Sequence, residues 1–159
     1  IQAEGTGVYA LQSAMHNNII YGSIANAKVN NLYSENSVTE TNLVSEDDSL
    51  DPLFKNFKEG IYQLLPSSPA LNKGNNVFIT KDWTTDVAGA ERIYADRVDQ
   101  GALEYQGKEL TLAADGSFYV NEKKEGNGAD WENALNSLTD ALIGAKLLNE
   151  HTPNMVKKI

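Results

Sequence analysis

The sequence predicts a mostly β fold with one amphipathic α-helix near the C-terminus. Two observations in residues 1–50 predict the strands: the apolar runs are only a few residues long, and β-branched and aromatic residues fill them without helical periodicity. A third observation, an apolar repeat at helical spacing after residue 130, predicts the helix. With 159 residues, of which 41% are apolar, the chain suffices for one ordinary domain or for parts of two.

The strand-like runs are separated by asparagine-rich turns. They are VYAL at 8–11, NNIIYGS at 17–23, AKVNNLYS at 27–34, NSVTET at 36–41 and NLVS at 42–45. Of the 17 asparagines, 11 lie between residues 17 and 76. Asparagine is typical of turns because it tolerates left-handed backbone and hydrogen-bonds its own backbone. In stacked coils, asparagines of successive turns can also form ladders.

Similar fragments recur at a spacing that suits a coil. NNII at 17–20 and TNLV at 41–44 share an asparagine followed by two aliphatic residues, with ENSV at 35–38 between them. Coils of about 20 residues are typical of a solenoid. An asparagine-rich β-sandwich with irregular strands explains the same repeats, so the repeats alone leave both folds open.

The helix is predicted to begin at Asp130, an N-cap residue, with Glu132 in the first turn. Asn149 and the Thr152-Pro153 pair are predicted to end it. The apolar residues at helical spacing are expected to form one buried face. They are Trp131, Ala134, Leu135, Leu138, Ala141, Leu142, Ala145 and Leu148.

Residues 51–105 contain short motifs in a characteristic order. They are Asp51-Pro52-Leu53-Phe54, Tyr62 and Leu64, Ser68-Pro69-Ala70 with Gly74, Asp86, Gly89 and Arg92, and Asp99, Gly101, Ala102 and Glu104. This order resembles the closing segment of right-handed parallel β-helix proteins of the pectate-lyase-like superfamily, most of all surface proteins of Bacteroidetes. The resemblance covers about a third of the 159 residues. It implies a right-handed parallel β-helix fragment with a C-terminal cap that covers the open edge of the stack.

Residues 118–142, FYVNEKKEGNGADWENALNSLTDAL, resemble the opening of such a β-helix. The two resemblances imply three parts: the last coils and cap at 1–105, a junction at 106–117, and the start of a second unit with a capping helix at 118–159. The Asp115-Gly116 pair predicts a turn in the junction. The sequence leaves open whether the helix caps its own unit or packs on the first one.

Four aromatic residues are candidates for saccharide contacts, because an exposed aromatic ring stacks on the apolar face of a sugar. They are Trp83, Tyr94, Tyr21 and Tyr33. For Trp83 the alternative is packing inside the cap. Trp131, at the start of the predicted helix, is expected in the core.

The acidic stretch SEDDSLD at 45–51 offers hard oxygen ligands for calcium, with Asp47, Asp48 and Asp51 as candidates. It lacks the spacing and the glycine of an EF-hand loop, so a solvated acidic turn is the simpler interpretation. No other metal or cofactor is indicated.

No catalytic constellation stands out. No pair of carboxylates is singled out for glycoside hydrolysis. The two histidines, His16 and His151, lie far apart in the sequence, and His16 is expected to be a polar turn residue. Of the two arginines, Arg92 is expected to form a structural ion pair with one of the acids of the cap, such as Asp86 or Asp99.

The net charge of −9 argues against a nucleic-acid partner, which requires a basic face. No run approaches the ~20 apolar residues of a membrane span. Because the chain begins with Ile1, we expect a piece of a longer exported precursor. The resemblance implies an extracellular or cell-surface bacterial scaffold for adhesion or glycan binding. Its expected partners are a polysaccharide or host-surface glycan and the adjacent β-helix domains of the parent chain.

Two other functions stay open at this point. In the first, the chain is the C-terminal flank of a polysaccharide lyase or glycoside hydrolase whose active site lies upstream. In the second, the chain is a complete, compact β-sandwich-like module. Fold analogy by itself cannot decide between these functions and a non-catalytic scaffold.

Overall fold

The computed structural model describes residues 8–21, 32–44 and 50–159, with side chains left out at 8–10 and 32–34. The chain divides into two compact units. Unit 1 comprises Ile1–Pro52 and Pro69–Glu104, and unit 2 comprises Leu53–Ser68 and Tyr105–Ile159. Most of the regular structure described is short strands, with one α-helix near the C-terminus, which confirms the coarse fold class. Leu53–Ser68, which the resemblance assigns to the cap, belong to unit 2.

Unit 1 contains six short strands that pair in parallel. They are β1 (Val8–Leu11), β2 (Ala14–His16), β3 (Ile19–Ile20), β4 (Leu32–Glu35), β5 (Val38–Glu40) and β6 (Leu43–Val44). β1 pairs with β4, β2 with β5 and β3 with β6. Ala14 lies opposite Val38 and Ile19 opposite Leu43, and the offset of 24 residues is the same in all three pairs.

The turns between these strands repeat with the same offset. Asn17 and Thr41 both have left-handed backbone, with φ of 57° and 56°. The Nδ2 of Asn18 donates to the Oδ1 of Asn42 at 2.9 Å, and the backbone N–H of Asn18 donates to the same oxygen. The predicted ladder of asparagines is therefore confirmed at this pair, 24 residues apart.

The buried amide of Asn17, which lies between β2 and β3, connects these strands to the segment Pro69–Glu104 of the same unit. Its Nδ2 donates to the Asn75 carbonyl at 3.0 Å, and its Oδ1 accepts from the Asn75 N–H at 2.8 Å. Its own carbonyl accepts from the N–H of Gly101 at 2.7 Å. Gly101 has a φ of 99°, and a Cβ there would lie 3.0 Å from Ile19, which explains the glycine at this motif position.

Unit 2 is built from an antiparallel hairpin and the helix. The hairpin joins β7 (Phe54–Asn56) to β8 (Ile61–Leu64) through a 3-10 turn and Gly60, whose φ is 73°. The helix α1 (Leu138–His151) has 14 residues, and no helix in the described part of the chain is long and apolar enough to cross a membrane. Nine buried residues form the core of this unit. They are Leu53, Leu65, Leu110, Phe118, Leu135, Ala141, Ala145, Leu148 and Val156.

The turn predicted at Asp115-Gly116 is confirmed. Gly116 has a φ of 81° and donates its N–H to the Ala113 carbonyl at 2.9 Å. The carboxylate of Asp115 accepts the N–H of Ser117 at 3.0 Å. Both contacts are the local interactions that favour Asp and Gly in turns.

The predicted start of the helix is wrong. α1 begins at Leu138, with the Oγ of Ser137 accepting the N–H of Asp140 at 3.1 Å. The Oδ1 of Asp130 also accepts backbone N–H groups, from Glu132 and Asn133, but it closes a turn that does not continue as a helix. The reason is that Leu135 pairs instead with the segment around Val120. The predicted end is confirmed at Thr152, the C-cap of α1, whereas Asn149 lies inside the helix, which ends at His151.

The predicted buried face of the helix is also wrong in part. Trp131, expected in the core, is 65% exposed, and Leu138 and Leu142 are exposed as well. Within α1 the buried residues are Ala141, Gly144, Ala145 and Leu148. At Gly144 the packing is especially close: a Cβ there would collide with the side chain of Leu110, so this position accepts only glycine.

Candidate functional site

An open cleft of about 660 Å³ lies in unit 1. β2 and the turn after it, residues 14–18, line one part of it. Phe78, Ile79 and the loop from Trp83 to Val87 line another part. Such a volume is within the range of pockets that bind small molecules.

Trp83 is the candidate residue that the cleft contains. Its indole is 60% exposed, so the ring is available to a ligand rather than packed inside the unit. The N–H of Trp83 donates to the Thr80 carbonyl at 2.9 Å and closes a turn. Two residues later, Thr85 forms a bridge with Glu91, which starts a short loop that carries Val87.

The other aromatic candidates do not join Trp83 in the cleft. Tyr21 is half-buried just after β3, and Tyr94 is 37% exposed, but neither lines the cleft. Tyr33 belongs to β4, and its side chain lies outside the described part of the structure. Their roles as saccharide contacts remain predictions.

His16 has a position that its sequence context does not predict. It lies in β2 rather than in a turn, and its imidazole stacks on Phe78 with ring centroids 3.5 Å apart and an angle of 7° between the planes. Its Nδ1 is buried and has no hydrogen-bond partner among the described residues. Both rings line the cleft. Sequence reasoning misses this pair because no local pattern relates residues so far apart in the chain.

A buried ionic network lies beside the cleft in the same unit. The Nη1 of Arg92 donates to the Oε2 of Glu104 at 2.9 Å, and its Nη2 donates to the Gly101 carbonyl at 2.8 Å. The expected structural ion pair with an acid of this segment is therefore confirmed, and that acid is Glu104. The carboxylates of Asp86 and Asp99, the two examples named from the sequence, accept backbone N–H groups.

Asp86 organises the loop that borders the cleft. Its Oδ1 accepts the N–H groups of Ala88 and Ala90 at 2.8 and 2.9 Å, and its Oδ2 accepts the N–H of Glu104 at 2.9 Å. Burial acts to raise the pKa of Asp86, but these amide hydrogen bonds outweigh it and hold the pKa below its ordinary value. Asp86 is thus a carboxylate committed to the backbone.

The pKa of Glu104, in contrast to that of Asp86, is raised. Its side chain is 1% exposed, and burial raises its pKa to about 7, against the lowering influence of the amides of Asp99 and Tyr94 and of the Arg92 guanidinium. The folded protein therefore binds a proton at Glu104 more tightly than an unfolded chain does.

This pKa predicts that unit 1 becomes less stable as the pH rises. Because the folded pKa of about 7 lies above the ordinary 4.5, the contribution of Glu104 to stability is fully present below about pH 4.5 and is lost as the pH passes 7. We expect the free energy of unfolding at pH 8 to be lower than at pH 5, by up to about 3 kcal/mol. Urea unfolding of a Trp131→Phe variant, followed by Trp83 fluorescence between pH 5 and pH 8, measures it.

The matched variants for this measurement are Glu104→Gln and Glu40→Gln. Glu104→Gln should remove most of the dependence on pH, whereas Glu40→Gln, at an exposed carboxylate of the same unit, should retain it. An unchanged dependence in Glu104→Gln would contradict the prediction.

The described structure neither supports nor contradicts the calcium candidates. Asp47 and Asp48 lie outside the described residues, and Asp51 is half-buried. Within residues 8–21, 32–44 and 50–159, no group of three His, Cys, Asp or Glu side chains is placed to hold a metal ion. Calcium binding therefore stays a prediction.

In this region some residues hold the loop in place, and others are exposed in the cleft. Asp86, Arg92 and Glu104, which carry the resemblance, hold the loop in place through hydrogen bonds. Trp83 and Thr85 are exposed in the cleft and are available to a ligand.

No family model, no curated protein and no solved structure matches this chain.

Proposed function

We propose that this chain is a non-catalytic piece of an exported bacterial surface protein with a right-handed parallel β-helix, and that unit 1 binds an extended saccharide. The observation that carries the binding function is the exposed Trp83 in an open cleft of about 660 Å³. An indole in such a position provides a flat apolar surface for a sugar ring.

The register of the strands supports the β-helix. In a solenoid each coil repeats with the same length, so residues 8–20 and 32–44 would be two successive coils of three strands each. The common 24-residue offset and the pairing of Asn18 with Asn42 agree with this interpretation. The parallel direction of all three pairs favours a solenoid over a β-sandwich, whose sheets are antiparallel.

The state of the ionisable groups supports a binding role without catalysis. Asp86 and Arg92 line the cleft, but each is already engaged in hydrogen bonds within the protein. A general acid or base must reach the substrate with a group that is free to exchange a proton. Neither side chain meets that requirement, because both hold the loop that forms the cleft.

The cleft also offers groups that suit the hydroxyls of a sugar. Thr85 exposes its side chain, and Asn18 is half-buried at the other part of the lining. The combination of an apolar wall with a few polar groups is typical of small-molecule sites. A saccharide would place one ring on Trp83 and direct its hydroxyls toward these side chains.

A glycan array tests this function, with fluorescently labelled protein and with and without calcium. We expect binding to a polysaccharide, and a loss of about tenfold or more in affinity for Trp83→Ala, since stacking and lost apolar contact together exceed about 1.4 kcal/mol. Calcium dependence would implicate the acidic stretch at 45–51.

Trp131→Ala is the matched control, because Trp131 is 65% exposed but belongs to unit 2. It should bind as the unmodified chain does. The proposal is overturned if the unmodified chain binds no glycan, or if Trp83→Ala and Trp131→Ala bind equally well.

A further inference from the structure

We infer that the cleft of unit 1 selects neutral saccharides and discriminates against those that carry carboxylates. The inference rests on the proposed function and names the class of ligand for the same site. It depends on the hydrogen bonds that the charged side chains of the cleft already form within the protein.

The positive charge in the lining is occupied. Among the described residues that line the cleft, Arg92 is the only lysine or arginine. Its side chain is 10% exposed, its Nη1 donates to Glu104, and its Nη2 donates to the Gly101 carbonyl. A carboxylate on a ligand would have to displace one of these partners, because bidentate recognition by arginine requires free N–H groups on one edge of the guanidinium.

The negative charge in the lining is occupied as well. Both carboxylate oxygens of Asp86 accept backbone N–H groups, so this side chain offers no free oxygen to bind a hydroxyl with full charge. It still carries its charge near the cleft. Lys81 and Asp82, just before Trp83, are both exposed and do not line the cleft.

These charges make an acidic ligand unfavourable for two reasons. A carboxylate that enters the cleft loses water without gaining a free cationic partner. It also approaches the carboxylate of Asp86 in a chain whose net charge is −9, and like charges at an interface cost binding energy. A neutral sugar has hydroxyl groups and apolar ring faces, and it meets neither penalty.

His16 is the other lining side chain that can become positively charged. Its ring is stacked on Phe78, and its Nδ1 is buried within the wall. The measurement is therefore made at pH 8, where an ordinary histidine is neutral.

The test compares two ligands that differ only in charge. One is the neutral hexose oligosaccharide of the glycan array that binds best, and the other is the same oligosaccharide with its C6 hydroxymethyl groups oxidised to carboxylates. Isothermal titration at low salt should give an affinity about tenfold or more lower for the oxidised form. Added salt should reduce the difference, because it screens charge repulsion.

A second variant tests the cause of the selectivity. Thr85→Lys adds an unpaired cation at an exposed position of the lining. It should increase affinity for the oxidised oligosaccharide by about tenfold, with much less effect on the neutral one, because it supplies the partner that Arg92 does not. Gln63→Lys, at an exposed neutral position in unit 2, adds the same single positive charge and is the matched control for the change in net charge.

The outcomes separate this inference from the proposed function. If the unmodified chain binds neither form, the proposed function fails. If it binds the oxidised form as tightly as the neutral form or more tightly, saccharide binding stands and the inference is overturned. Equal gains from Thr85→Lys and Gln63→Lys would also overturn it, because the selectivity would then come from net charge rather than from the cleft.

Discussion

Replacing Arg92 by alanine should lower the free energy of unfolding of unit 1 by about 3–5 kcal/mol at pH 8, the usual cost of breaking a buried ion pair. The guanidinium is the cationic partner of Glu104 and also donates to the Gly101 carbonyl. Removing it leaves a buried carboxylate without its counter-charge. Urea unfolding in a Trp131→Phe background, with Trp83 as the fluorescent probe, measures the loss.

The same variant should lose less stability at pH 5. Glu104 already has a pKa of about 7, so at pH 5 it can take up a proton and avoid a buried, unpaired charge. Arg97→Ala is the matched control, because Arg97 is exposed and donates only to the Gly74 carbonyl, and it should cost about 1 kcal/mol. Similar losses for both arginine variants at pH 8 would show that the Arg92 pair is not the main support of the loop.

Replacing Phe118 by alanine should lower the free energy of unfolding of unit 2 by about 3–5 kcal/mol, as large-to-small changes of buried aromatic residues do. Phe118 is 2% exposed and belongs to the core with Leu135 and Leu148. The substitution removes apolar contacts and leaves a cavity that a close-packed core fills only in part. Circular dichroism of α1, together with Trp131 fluorescence in a Trp83→Phe background, follows the unfolding.

Leu142→Ala is the informative control for the orientation of the helix. Leu142 belongs to the apolar stripe that the sequence predicts to be buried, but it is 54% exposed. We expect its replacement to change stability by no more than about 0.5 kcal/mol, as for an ordinary surface position. If Leu142→Ala were as costly as Phe118→Ala, the helix would bury the predicted stripe and the orientation described here would be wrong.

The offset between the paired strands of unit 1 is visible in the sequence, because similar fragments recur at that spacing. Asn18 and Asn42 are 24 residues apart, and the three parallel strand pairs of unit 1 have that same offset. Turn positions such as Asn17 need left-handed backbone, which asparagine adopts at low cost. The spacing of asparagines therefore carried information on the register, although it did not by itself distinguish a solenoid from a sandwich.

The helix shows where local pattern stops being sufficient. Asp130 has the chemistry of an N-cap and does bind two backbone N–H groups, yet the helix begins at Leu138. Leu135 pairs with the segment around Val120, and that pairing competes with helix formation. The helix then buries a face that includes Gly144, where the neighbouring Leu110 leaves no room for a Cβ.

For the candidate site, the sequence singled out Trp83 as an exposed aromatic residue, but it did not indicate the cleft around it. His16 and Phe78 meet there although no local feature links them, because the contact depends on how Pro69–Glu104 folds against the coils within unit 1. Such long-range contacts are properties of the tertiary structure.

By itself, the sequence determined the mostly β class, the recurrence of similar fragments 24 residues apart, the Asp115-Gly116 turn and the end of the helix at Thr152. Each of these depends on residues adjacent in the chain or on a repeat. Only the tertiary structure decided the partner of Arg92. Several carboxylates lie close to Arg92 in the sequence, and the one that pairs with the guanidinium is Glu104, because the fold places its Oε2 2.9 Å from the Nη1 of Arg92.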